Sequence, residues 1–173
     1  MSSSGERSVV SEPSSGLRPE LTVAAVIERN GLYMFVEERV AGRLVLNQPA
    51  GHVEDGESLA AAVIRETLEE TAWIFKPEAT VGVYLWGRDA GSNPFLRVAF
   101  AGSCLNHDRQ RRLDDGIERV LWLSRDELVM RGAQLRSPMV LRAVDDYLRG
   151  ARYPIDLFQD LAVEQLVSRA AVL

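Results

Sequence analysis

The segment from Gly51 to Trp73, GHVEDGESLAAAVIRETLEETAW, constrains the fold more than any other stretch of the chain. Ser58 is placed to cap a helix running from Leu59 to about Thr71. At about 100° per residue, Ala60, Val63, Ile64, Thr67 and Leu68 share one arc, the stripe that must be buried. Glu66, Glu69 and Glu70 share the neighbouring arc. Like charges at this spacing cost about 0.2–0.5 kcal/mol per pair, and no lysine is interleaved among them. Such a face is either simply solvated or suited to a divalent cation, because carboxylate oxygens are hard ligands matched to Mg²⁺ or Mn²⁺. Gly51 and Gly56 in the preceding loop allow sharp turns and close approach of backbone to a ligand.

Strand patterns surround this helix. LTVAAVIER from Leu21 reads as a strand, Arg29-Asn30-Gly31 as a tight turn, and LYMFVEER from Leu32 as the antiparallel partner. A short strand from Arg43 to Asn47 leads into the loop QPAGHVEDGE. Further strands are expected over Thr80–Trp86, Phe95–Ser103 and Ile117–Leu123, with a polar loop from Asn106 to Gly116. Ser124 caps a helical turn, and Ser137-Pro138 forms an N-cap and N1 pair for a helix through about Arg149. The C-terminal YPIDLFQDLAVEQLVSRAAVL reads as an amphipathic helix after its proline. Residues 1 to about 19 are rich in Ser, Gly, Glu and Pro and are expected to be a disordered tail, leaving 20–173 as one domain. Many strands and few helices give an α/β or α+β class with a mixed sheet.

The stretch Gly51–Trp73 closely resembles the signature of the Nudix hydrolase family, G-x5-E-x7-R-E-U-x-E-E-x-G-U, where U is a bulky aliphatic. Gly51, Glu57, Arg65, Glu66, Glu69 and Glu70 match at the required spacings, whereas Thr67, Ala72 and Trp73 depart from it. The departures touch the scaffold and spare the charges. The resemblance extends over roughly residues 20 to 155, where NQPAGH (47–52), PFLR (94–97), LRSP (135–138) and RYP (152–154) are similar to the NudJ-type phosphatase branch. It implies an α/β/α sandwich with a mixed central sheet and the family's loop-helix-loop. The activity implied is hydrolysis of phosphoanhydrides in nucleoside di- and triphosphates or a thiamine-precursor pyrimidine diphosphate, with orthophosphate as product. The alternatives are a pyrophosphohydrolase acting on ADP-ribose or dinucleotides, and a non-catalytic ligand-sensing domain.

By the same resemblance, Glu66, Glu69 and Glu70 hold Mg²⁺, or Mn²⁺ in its place, with the Ala50 carbonyl as a further ligand. The metal would neutralise phosphate charge and activate water. Arg65 orients a signature glutamate, and Glu57 either supports the metal through water or orders the loop. Many members carry another acid just before the last strand; here Gly116 occupies that place, and Asp114, Asp115 or Glu118 are the substitutes.

Substrate phosphate candidates are Arg97 in a strand, Arg136 before a helix N-terminus, Arg88 in a glycine-containing loop, and His52. Trp86 and Phe95 are either core residues or a stacking surface for a base. A formal net charge of −5 argues against a nucleic-acid polymer as partner. No run of 18 apolar residues exists, and MSSSGERSVVSEPSSG lacks the apolar centre of a secretory signal. With a single cysteine, Cys104, no internal disulfide forms. The expectation is a cytoplasmic enzyme for a small phosphorylated substrate, without membrane contact, as a monomer or homodimer.

Overall fold

Alternation along the first strand sorts the core into two layers. In the computed structural model, which describes residues 16–87, 92–159 and 161, β1 (Glu20–Arg29) turns Val23, Ala25 and Ile27 to one side and Val26 to the other. The first set packs with Met34, Phe75, Val98 and Phe100 under Ala62 and Val63 of α1 (Leu59–Thr71). Val26 packs with Phe35, Leu46, Val81 and Ala99 under α2 (Arg125–Met130) and α3 (Pro138–Leu148), which contribute Leu128, Val140, Ala143 and Val144. Helices therefore cover both faces of the sheet, giving the expected α/β/α sandwich.

The sheet is mixed. β1 runs parallel to β6 (Phe95–His107) and antiparallel to β2 (Leu32–Val40). β2 also pairs with β3 (Arg43–Asn47) and β7 (Ile117–Leu123), and β6 with β5 (Trp73–Trp86), all antiparallel. Asn30 and Gly31 close the first hairpin with φ of 54° and 78°, the doubly left-handed turn that matches strand twist. Along its β2 side, β1 changes partner. Glu28 and Arg29 pair with β2, whereas Thr22–Ala24 pair with β4 (Ala50–His52). Residues from both branches of this fork line the cavity described below.

Several elements differ from the sequence reading. β4 lies inside what reads as loop, since three residues around Gly51 carry no strand pattern. β5 begins at Trp73 and not at Thr80, because Pro77 looks like a breaker. β5 is the edge of the strand path, where a missing N–H is tolerated, and its pairing shifts register between Pro77 and Ala79. β6 continues to His107, which stacks on Trp73 at 4.7 Å between ring centroids. Ser137 precedes α3 as expected, yet its hydroxyl makes no capping bond. Ala72 ends α1 at φ 59°, where alanine costs about 1 kcal/mol more than glycine. Thr67 is fully buried and donates its hydroxyl to the Val63 carbonyl, so its methyl serves the stripe. The C-terminal reading meets a single 3₁₀ turn over Ile155–Leu157; residues 162–173, like the expected tail at 1–15, lie outside the described residues. Among the described residues no helix is long and apolar enough to cross a membrane.

Candidate active site

Arg65 is the hub of the loop-helix segment. Its Nε and Nη2 donate to the two Glu57 oxygens at 3.1 and 2.6 Å, and Nη2 also reaches the His52 carbonyl at 2.9 Å. Nη1 donates to Glu66 at 2.8 Å and to Glu69 at 3.0 Å. One planar guanidinium thus ties the loop to the helix and offsets the repulsion among the helix acids. Hydrogen bonds from Arg65 hold the Glu57 carboxyl below its usual range, and those to Glu57 push the guanidinium higher still. Glu57 also accepts from the Glu54 N–H at 2.8 Å, so both of its oxygens are engaged in ordering the loop.

Glu70 points the other way. Its Oε2 accepts from the Ala50 N–H at 2.9 Å, and burial pushes its carboxyl up to about 8. The neighbouring carboxylates of Glu38, Glu66 and Asp114 add to that rise, while the Ala50 bond opposes it. Burial likewise raises Glu66, against the pull of Arg65. The Glu66 carboxylate fills the space beside Gly51 that a side chain would take: a Cβ there would overlap it. Asp114 is the acid of its loop that comes close, its N–H donating to the Glu69 carbonyl at 3.1 Å, whereas Glu118 pairs with Arg39 on the surface.

No three acidic, histidine or cysteine side chains among the described residues are arranged to hold a metal ion as they stand. The donor chemistry nevertheless fits a hard divalent cation. Glu70 is buried and Glu66 partly so, each carboxyl raised by burial in a way that a bound cation would reverse, and Glu66 and Glu69 share an arginine from which a doubly charged ion would draw them.

Next to these acids lies a cavity of about 170 Å³ lined by Thr22, Glu38, Asn47, Ala50, Gly51, His52, Trp86, Phe95, Arg97, Arg136, Ser137 and Met139. Arg97 is 6% exposed and donates to Asn47 Oδ1 at 3.1 Å; burial pulls its guanidinium down to about 10. His52 pairs with Glu20 at 3.0 Å, at the rim of the same space. Of the four residues expected to meet substrate, His52, Arg97 and Arg136 therefore converge on one cavity, and Arg88 lies outside the described residues. Trp86 and Phe95 line it as a stacked pair, 6.0 Å between centroids.

Sequence reading missed Glu38 and Asn47. A signal for Glu38 was present, since it continues the alternating stripe of Met34 and Val36 with a carboxylate. The polar face of Asn47 carries no such signal, because its role comes from Arg97, fifty residues away.

Comparison with known proteins gives a consistent picture. The NUDIX domain family model matches residues 18–143. Phosphatase NudJ of Escherichia coli strain K12 is 34% identical over 143 residues, covering 83% of this chain and 92% of that protein. Among solved structures, a NUDIX hydrolase from Nitrosomonas europaea aligns with a TM-score of 0.80 at 44% identity, over 83% of this chain and 97% of that one. An ADP-ribose pyrophosphatase from Streptococcus suis shares the fold alone, with a TM-score of 0.59 at 15% identity over 79% of this chain and 96% of that one.

Proposed function

The chain belongs to the Nudix family and is a phosphohydrolase, and on that premise we propose that it is a Mg²⁺-dependent phosphatase. Its substrates are nucleoside di- and triphosphates or a thiamine-precursor pyrimidine diphosphate, and its product is orthophosphate. Glu66, Glu69 and Glu70 hold the cation, with the Ala50 carbonyl as a further ligand. Held by these residues, a divalent cation would supply charge neutralisation for the phosphates and Lewis acidity toward water. Arg65 is a positioning residue. It holds Glu66 and Glu69 on one side and fixes the loop through Glu57 and the His52 carbonyl. The Ala50 N–H fixes the Glu70 carboxylate, and Gly51 leaves room for that of Glu66.

The observation that carries this reading is the junction of the two features. Ala50 and Gly51 touch the acids through the Ala50–Glu70 bond and the Gly51–Glu66 contact, and they also line the cavity. A substrate in the cavity therefore lies beside the carboxylates. The arginines of the cavity add positive charge for an anionic substrate, and the similarity to Phosphatase NudJ supports release of orthophosphate.

The direct test is phosphate release with Mg²⁺ from nucleoside di- and triphosphates, the pyrimidine diphosphate, ADP-ribose and a dinucleoside polyphosphate, with and without inorganic pyrophosphatase. Orthophosphate is expected without the helper enzyme. Signal that needs the helper would replace the phosphatase by a pyrophosphohydrolase, and silence on every compound would overturn the substrate assignment.

Gly51→Ala tests the space for Glu66. The overlapping atoms are the far end of a flexible side chain, so the fold accommodates the methyl group while the carboxylate is displaced. A displacement of about 1 Å near the reacting groups costs roughly a hundredfold in rate. The expected outcome is that loss in kcat/KM with little change in Tm, followed by phosphate release and thermal unfolding.

A further inference from the structure

The floor of the cavity says which end of a substrate it receives. Five side-chain atoms buried without a hydrogen-bond partner among the described residues belong to its lining: Thr22 Oγ1, Glu38 Oε1, Arg97 Nε, Arg136 Nη1 and Ser137 Oγ. A buried polar atom left unpaired is costly, so five in one lining suit a site whose hydrogen bonds a polar ligand completes. Ser137 makes the point locally, since it stands at a helix N-cap yet leaves its hydroxyl unused. Thr22, Arg97 and Ser137 are 3%, 6% and 5% exposed, so their unpaired atoms are not served by bulk water.

The signs of these atoms discriminate between ligands. A phosphate group offers acceptors alone. It would suit the two arginines, but its charge would stand against the Glu38 carboxylate in the same lining. A flat ring with an amino group next to a ring nitrogen offers both signs side by side. The amino N–H donates to Glu38 Oε1, and the ring nitrogen accepts from Arg97 Nε–H. Trp86 and Phe95, with His52 6.4 Å from Phe95, supply aromatic walls for such a ring. A volume of about 170 Å³ suits one small ring and is well below the roughly 300–1,000 Å³ of pockets for drug-sized ligands.

We propose that Glu38 and Arg97 are specificity-determining residues that select substrates whose six-membered ring carries an amino group beside a ring nitrogen, and disfavour the corresponding oxo ring. The proposal deepens the hydrolase reading above and rests on it for the phosphate end, which lies toward Glu66 and Glu70. Arg97, expected from the sequence to bind phosphate, is thereby assigned to the ring. Arg136 and Ser137 offer the remaining donors around it.

Cytidine and uridine diphosphates test this, because they differ by amino and oxo groups at one ring position. The wild-type protein with Mg²⁺ is expected to favour cytidine diphosphate by about tenfold or more in kcat/KM, in line with a good base contact. Glu38→Gln, whose amide can donate as well as accept, is expected to bring the two within about threefold, with thermal unfolding confirming its fold. Equal rates in the wild type, or an unchanged ratio in the variant, would overturn the proposal while leaving the hydrolase reading intact. Calorimetric titration of cytidine and of uridine into the metal-free protein separates the two readings if neither diphosphate is hydrolysed. Tighter binding of cytidine supports the ring assignment, and equal or absent binding of both overturns it.

Discussion

Glu70→Gln is expected to lower kcat/KM by at least about a hundredfold while leaving the fold intact. The glutamine carbonyl can still accept from the Ala50 N–H, which the carboxylate accepts at 2.9 Å. Burial already disfavours the charge at this position, so a neutral side chain of the same shape has no packing cost. In the proposed site the substitution removes an oxygen that would become anionic on binding the cation, and with it charge stabilisation at the phosphate group. Losing one preorganised electrostatic contact of this kind costs about 10²–10³ in rate. Phosphate release and thermal unfolding on the same preparations measure both halves of the statement. Activity within threefold of wild type would remove Glu70 from the site.

Arg65→Ala is expected to act on stability as well as on rate. The guanidinium is 24% exposed and its main partner, Glu57, 16%, so the pair is largely sheltered from solvent. Its removal leaves Glu57, Glu66 and Glu69 facing one another, frees the His52 carbonyl, and detaches the loop from α1. Breaking a fully buried pair costs about 3–5 kcal/mol, and partial exposure reduces this to about 2–3 kcal/mol. At roughly 2–4 °C per kcal/mol for a chain of this size, Tm falls by about 4–12 °C, measured in the presence of a chelator. Arg65→Lys keeps the charge but not the fork, so it recovers a part of the stability and little of the loop geometry. An Arg65→Ala protein with wild-type Tm would show that the hub has no structural role.

Legibility followed the range of the interactions. The Ser58 cap and the span of α1 over Leu59–Thr71 follow from the local pattern, but of the expected stripe only Val63 and Thr67 are fully buried. Ala62, Glu70 and Thr71 are buried where the pattern places Ala60, Ile64 and Leu68, because the packing of α1 on the sheet sets the rotation of its face. The first hairpin is equally local, set by Asn30-Gly31 between two apolar runs. β5 starts at Trp73, ahead of the expected Thr80, and carries Pro77, a residue excluded from central strands; only the strand order reveals that β5 lies at an edge where proline is tolerated. The cavity was the least visible feature. Its lining comes from β1, β2, β3, β4, β5, β6 and the start of α3, so no window of sequence contains it. Arg97 and Arg136 stood out as charges at suitable places, but their common address depends on the fork at β1. Trp86 and Phe95 read equally as core or as a stacking surface, and the register of β5 against β6 sets them side by side at the cavity wall.

In the proposed site the acids of α1 exchange the grip of Arg65 for a divalent cation. Electron paramagnetic resonance of Mn²⁺ titrated into the full chain tests this without reference to any substrate. The wild-type protein is expected to bind the ion and Mg²⁺ to displace it, while the Glu66→Gln, Glu70→Gln double variant, still folded, leaves Mn²⁺ free in solution. Undiminished Mn²⁺ binding by that variant would contradict the account and move the cation elsewhere on the molecule.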